Sequence, residues 1–189
     1  MGAIQPSFYH PLRDLIVEMF DGETLDQKTK WGHAVDHKII KRGTYKYPKV
    51  LESLALELAE IRSKLSANAH SNDTEEILGE LVARSYLSDK DIEYNNSPLI
   101  EMRPVAKPDL YIGKESIDIK TLRKDSDMFM VNYSAHNNKE KRPDYYWLVR
   151  LDGDFMSSHF AVKSKDVDNW KVKKTKVTKV YFANLNDCL

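Results

Sequence analysis

Residues 107–121, Lys-Pro-Asp-Leu-Tyr-Ile-Gly-Lys-Glu-Ser-Ile-Asp-Ile-Lys-Thr, constrain this chain more than any other stretch. Leu110-Tyr111-Ile112 and Ile117 to Ile119 are two short apolar runs, and Gly113-Lys114 between them is a two-residue turn with glycine first. That pattern predicts a β-hairpin on a type II′ turn. If Ile112 pairs with Glu115, the same register sets Asp109 opposite Asp118, with Cβ atoms about 4.5–5.5 Å apart. Side chains alternate along a strand, so Asp109, Tyr111, Ser116, Asp118 and Lys120 share one face, and Leu110, Ile112, Ile117 and Ile119 share the other.

Two facing carboxylates repel each other unless a positive charge sits between them. Asp109, Asp118, the backbone carbonyl of Ile119 and water form an all-oxygen ligand set. Such a set suits Mg²⁺, with Mn²⁺ as a substitute. Lys120 follows Asp118 by two residues, on the same face, where its ammonium reaches a water or phosphate oxygen beside such a metal. A metal with a lysine is an apparatus for phosphodiester hydrolysis, because both oppose charge that develops on the phosphorus oxygens.

Pro108-Asp109, eight intervening residues and then Asp118-Ile119-Lys120 resemble the catalytic signature of the PD-(D/E)xK nuclease superfamily. The Asp-Ile-Lys-Thr ending and the short spacing look most like orthodox type II restriction endonucleases. The resemblance implies a metal-dependent DNA endonuclease with Asp109, Asp118, Lys120 and a helical glutamate as catalytic residues. Gly79-Glu80-Leu81-Val82 looks like the family's helix before the hairpin. Glu80, among apolar neighbours where a lone carboxylate is costly, is then the helical acid and a further ligand. Glu76, one turn earlier, is the competing candidate, and an i,i+4 pair with Arg84 is the non-catalytic alternative for Glu80.

Composition describes an ordinary globule: 189 residues, 41% hydrophobic and 31% charged. The single cysteine, Cys188, excludes a disulfide framework and a cysteine-rich zinc site, and suits a reducing cytoplasm. No apolar run reaches membrane-spanning length, and no signal-peptide pattern opens the chain. Net charge is zero, but residues 139–181 carry 11 Lys or Arg against 6 Asp or Glu. That basic back half fits a phosphate backbone or a solvated face.

Along the chain, Leu12, Leu15, Ile16, Met19 and Phe20 predict a helix, and residues 23–47 read as an aperiodic loop rich in basic and aromatic residues. His33 and His37 have helix-compatible metal spacing without a further nitrogen or sulfur ligand nearby, so they read as surface residues. Pro48 opens a helix to Ser66, core or dimer surface, and a second helix follows from Asn72–Thr74 to Leu87. Asp91–Asn95 reads as a strand, residues 127–138 as a helix of indistinct period, and Tyr145–Leu151 as a central strand. Phe160–Val162 and Val177–Phe182 read as further strands, separated by a short helix near Lys165–Trp170. Asn132, Asn137, Asn138, Lys139, Lys141 and Arg142 are candidate DNA contacts, since amides read base edges and cations bind phosphates. His136-Asn137 superficially suggests an HNH nuclease but lacks the flanking architecture of one.

The expected fold is α/β: a mixed central β-sheet flanked by helices, restriction-endonuclease-like, in one compact domain. Residues 1–70 form its helical N-terminal region and 71–189 its catalytic core. The expected partners are double-stranded DNA and a second copy of the chain. Two alternatives stand beside the restriction enzyme: a repair, recombination or phage DNA-processing nuclease, and a non-catalytic DNA-binding protein on the same fold.

Overall fold

The hairpin's apolar face forms the floor of the main core. In a computed structural model, which describes residues 39–65, 73–96 and 108–185, Leu110, Ile112, Ile117 and Ile119 are all buried. The elements in chain order are β1 (Ile40–Lys46), α1 (Val50–Leu65), α2 (Asp73–Asp89), β2 (Asn95–Asn96), β3 (Leu110–Ile112), β4 (Glu115–Arg123), β5 (Met128–Asn132) and α3 (Tyr133–Asn137). They continue with β6 (Tyr145–Gly153), β7 (Met156–Lys163), α4 (Ser164–Val167), β8 (Lys171–Lys174) and β9 (Lys179–Asn184).

Six strands form a mixed sheet in the order β1-β7-β6-β4-β3-β2, with β4 and β6 parallel and every other pair antiparallel. On one face α1 and α2 cover Ile117, Ile119, Trp147 and Val149 with Ala55, Ile77, Val82, Ala83, Tyr86 and Leu87. The other face differs from the expected layer of helices. Tyr146, Leu148, Phe160 and Val162 pack against Phe129, Val131, Tyr181 and Ala183. These belong to a second, three-stranded antiparallel sheet, β5-β9-β8. The architecture is mixed α/β, with helices on one face of the main sheet and strands with two short helices on the other. No helix among the described residues is long and apolar enough to cross a membrane.

The expected helix over 127–138 is a correction. Its first half is β5, in which Phe129 and Val131 are buried and alternate with exposed or half-buried neighbours. That is a period of two, which flanking methionines disguised. The 23–47 loop is corrected in part as well. Residues 40–46 pair with β7 across a bulge at Gly43, which takes φ 132°, a value glycine adopts readily. The 91–95 strand shrinks to Asn95–Asn96. The N-terminal helix, Trp31, His33 and His37 lie outside the described residues.

A buried polar chain ties β1, β6 and β7 together. Trp147 Nε1 donates to His159 Nδ1 (3.0 Å), so the other ring nitrogen carries the proton and donates to Ser157 Oγ (2.9 Å). Ser157 in turn donates to the Tyr45 carbonyl at 3.0 Å. Burial pushes the His159 imidazole down to about 4, which keeps it neutral at pH 7. Its ring stacks on Tyr86 at 4.8 Å and so also anchors α2. Replacing His159 with Leu leaves the indole N–H buried without an acceptor. We expect a loss on the order of 1–3 kcal/mol, read by chemical denaturation.

Candidate functional site

The hairpin forms in the predicted register. Leu110 pairs with Ile117, Tyr111 with Ser116 and Ile112 with Glu115, and Gly113 takes φ 61°, as the first position of a II′ turn requires. β3 begins at Leu110, so Asp109 steps off the ladder where Asp118 faces it. Its backbone N–H donates to the Ile117 carbonyl at 3.1 Å. Its carboxylate curls back to accept the Ile119 N–H at 2.6 Å, replacing the strand partner that β4 lacks there. Across the site, Lys120 Nζ lies 2.6 Å from Asp118 Oδ2, with the lysine side chain still 39% exposed.

Glu80 arrives from above because α2 presses directly onto β4. The contact point is Gly79, where a Cβ would lie 1.9 Å from Thr121 Oγ1 and 2.8 Å from its Cβ. Any larger residue there would have to push the Thr121 side chain aside. One turn earlier, Glu75 is bonded to Arg123 at 2.5 Å, which fixes the helix along the strand. Glu80 is then largely buried, its Oε2 3.7 Å from Arg84 Nη2. The i,i+4 pair and the place beside the hairpin acids occur together. Glu76, one turn away, is exposed, though its charge still reaches Lys120.

The electrostatics are those of a crowded acid cluster. Burial, then the Asp109 charge, pushes Glu80 up to about 8, against the pull of Arg84 and Arg62. Burial, then Asp118, pushes Asp109 up to about 7, against the Ile119 hydrogen bond and the Lys120 charge. Burial alone would lower the Lys120 ammonium, but contact with Asp118 outweighs it and holds the lysine charged. The cluster thus has more carboxylate than its own cations neutralise, and it answers by retaining protons.

Among the described residues, no three His, Cys, Asp or Glu side chains converge tightly enough to hold a cation in this conformation. The donors nevertheless fit Mg²⁺, which takes only one or two carboxylates and keeps several waters. Asp109, Asp118 and the Ile119 carbonyl would hold it, and Glu80 stands within their field.

The candidate DNA contacts divide into two groups. Asn132 Oδ1 caps α3 by accepting the Ala135 N–H, Asn137 Nδ2 donates to the Tyr133 carbonyl and to Tyr181 Oη, and Asn138 Oδ1 accepts the Glu140 N–H. These amides serve the chain itself. Lys139 and Lys141 are exposed, and Arg142 is held by Asp168 at 2.8 Å. His136 is fully buried between Tyr146 Oη (2.8 Å) and Asp168 Oδ1 (2.7 Å), a bridge from β6 to the turn after α4.

The raised carboxyls set a pH dependence. Both fold with more protons bound than the unfolded chain holds, so their protonation stabilises the fold at low pH, and that stability is lost as pH rises through about 7 and about 8. Burial lowers both buried histidines, His136 and His159, which moves their titration away from that window. Metal-free protein should lose on the order of 2 kcal/mol between pH 6.5 and 8.5. Asp109→Asn should flatten the slope in denaturant titrations at several pH values.

Comparison of the chain with protein-family models and with curated proteins finds no match.

Proposed function

We propose that the protein is a metal-dependent DNA endonuclease that resembles the PD-(D/E)xK superfamily. The observation that carries this is the hairpin register, which brings Asp109, Asp118 and Lys120 together beneath Glu80. An ordinary exposed hairpin has no use for three acids in one half-buried site, two of which, Glu80 and Asp109, are pushed to hold their protons near neutral pH. Perturbed acids of this kind concentrate where chemistry is done.

In this reading Mg²⁺, when bound, supplies Lewis-acid charge and an acidified water. The chain's own groups do the rest. Asp109 and Asp118 orient the donors, and the Ile119 hydrogen bond fixes the Asp109 carboxylate against rotation. Lys120 releases Asp118 and offers its ammonium to the phosphate oxygen on which charge develops. Glu80 provides a further acid that can hold or yield a proton near neutral pH.

The most specific form of the proposal is a type II restriction enzyme that cuts a short duplex sequence as a homodimer. On α1, Val50, Leu54 and Ile61 are exposed along one stripe and would provide the dimer surface. One observation favours the second form, a repair, recombination or phage DNA-processing nuclease that recognises structure. The amides of Asn132, Asn137 and Asn138 bond within the chain, which leaves them little capacity for reading base edges. Discrete fragments from a long duplex would mark the first form, and junction-dependent cutting the second.

Asp118→Ala should abolish Mg²⁺-dependent cleavage with the fold retained, and a fully active variant would overturn the site. Lys120→Ala should slow single-turnover cleavage by about 10²–10³ while affinity for DNA hardly changes. Lys141→Ala should do the opposite, weakening binding in a salt-sensitive way at a near-normal rate. On light scattering, a strict monomer that still makes concerted double-strand cuts would exclude the dimer.

A further inference from the structure

At the turn end of the hairpin a cleft of about 570 Å³ opens between three elements. Glu115 at the start of β4 forms one side. The loop through Lys139, Arg142 and Asp144 forms the second, and Lys163 and Lys165 at the end of β7 and in α4 form the third. Tyr145 stands between them, paired across the sheet with Lys163 on one side and Ile117 on the other. The walls are bonded to one another. Asp144 Oδ2 accepts both the N–H and the hydroxyl of Ser116 at 2.8 Å, and the Asp144 N–H donates to the Ser116 carbonyl at 3.0 Å. On the other side, Ser164 donates its N–H to the Asp144 carbonyl and its hydroxyl to that of Pro143. Such a cleft is preformed and loses little order when it binds.

We infer that this cleft binds an unpaired stretch of a nucleic-acid strand. Lys139, Lys163 and Lys165, with Arg142 held by Asp168 beside them, come from two of the walls and suit successive phosphates. The half-buried Tyr145, packed on one side against the main core, lines the cleft where a base could stack. Cations with an aromatic ring are the combination used for single strands. Asp144 is taken up by Ser116 and by its bond to Glu115, which leaves a Glu115 oxygen as an acceptor for an exocyclic amino group, as carboxylates are for the cytosine N4 amine. Those two carboxylates and the concave shape suit a lipid surface poorly. The volume lies in the range of pockets for small ligands, about 300–1,000 Å³, which admits one or two nucleotide units but not a duplex. Ser116, bonded to Asp144, is two residues from Asp118 and shares its face, about 7 Å along the strand. The cleft thus adjoins the strand that carries the acid cluster. The inference rests on the nuclease reading for its biological sense and deepens its structure-recognising form: the substrate would carry an overhang, flap or gap.

The test is fluorescence anisotropy in EDTA, which separates binding from cleavage. The probes are a labelled mixed-sequence 12-mer as single-stranded DNA, as RNA and as a DNA duplex, with dCMP as competitor. The full chain should bind at least one single strand more tightly than the duplex, and preference for DNA or RNA identifies the natural source. Lys163→Glu/Lys165→Glu should weaken single-strand binding about tenfold or more and reduce the salt slope by roughly 1.4, the value for two lost contacts. Lys139→Glu, on another wall, should act in the same direction if the double variant folds poorly by thermal melting. Equal or tighter duplex binding, or unchanged affinity in folded variants, would overturn the inference. So would displacement by dCMP at the concentrations at which the strand itself competes. Single-strand binding by a protein that cuts nothing in Mg²⁺ would sink the nuclease reading and leave the cleft standing. Cleavage without single-strand preference would do the reverse.

Discussion

Repulsion among Glu80, Asp109 and Asp118 is the constraint around which this molecule is arranged. Three carboxylates in one half-buried place destabilise a fold, and here two structural devices hold them. The hairpin register fixes Asp109 against Asp118, and the buried face of Leu110, Ile112, Ile117 and Ile119 fixes the register. A slip of one residue would turn all four apolar side chains toward solvent, so the core enforces the juxtaposition of the acids. Glu80 depends on Gly79, whose missing side chain lets α2 rest on Thr121.

The surrounding groups offset the repulsion only in part. Lys120 contacts Asp118, Arg84 stands near Glu80, and the Ile119 N–H is donated to Asp109. Protons make up the difference, since Asp109 and Glu80 hold theirs to about 7 and about 8. In the proposed reading, a cation takes the place of those protons. The buried pair Trp147–His159 behaves oppositely. It is fully bonded and neutral, and it carries the scaffold without storing charge.

How much of this was legible in the sequence follows from how local each feature is. The hairpin could be read because turn, register and face alternation lie within fifteen consecutive residues. Glu80 was readable as a carboxylate among apolar neighbours. β1 was not, because Lys41, Gly43 and Thr44 suit an edge strand whose partner, β7, lies more than a hundred residues away. The second sheet was hidden likewise: β5 pairs with β9, about fifty residues on, and Met128 and Met130 blur its alternation. The cleft's cations come from separate elements, so no spacing announces them. The asparagines of 132–138 looked available for bases because a cap and an internal bond cannot be told from free amides without the backbone beside them.

The central proposal, that the acid cluster exchanges its protons for a cation, can be measured without any nucleic acid. Titrate metal-free protein at pH 7 with Mn²⁺ by calorimetry in two buffers of different ionisation enthalpy. The account predicts saturable binding with release of protons, visible as a buffer-dependent heat, and loss of both in Asp118→Ala. Binding without proton release, binding that survives Asp118→Ala, or no binding up to millimolar Mn²⁺ would contradict it.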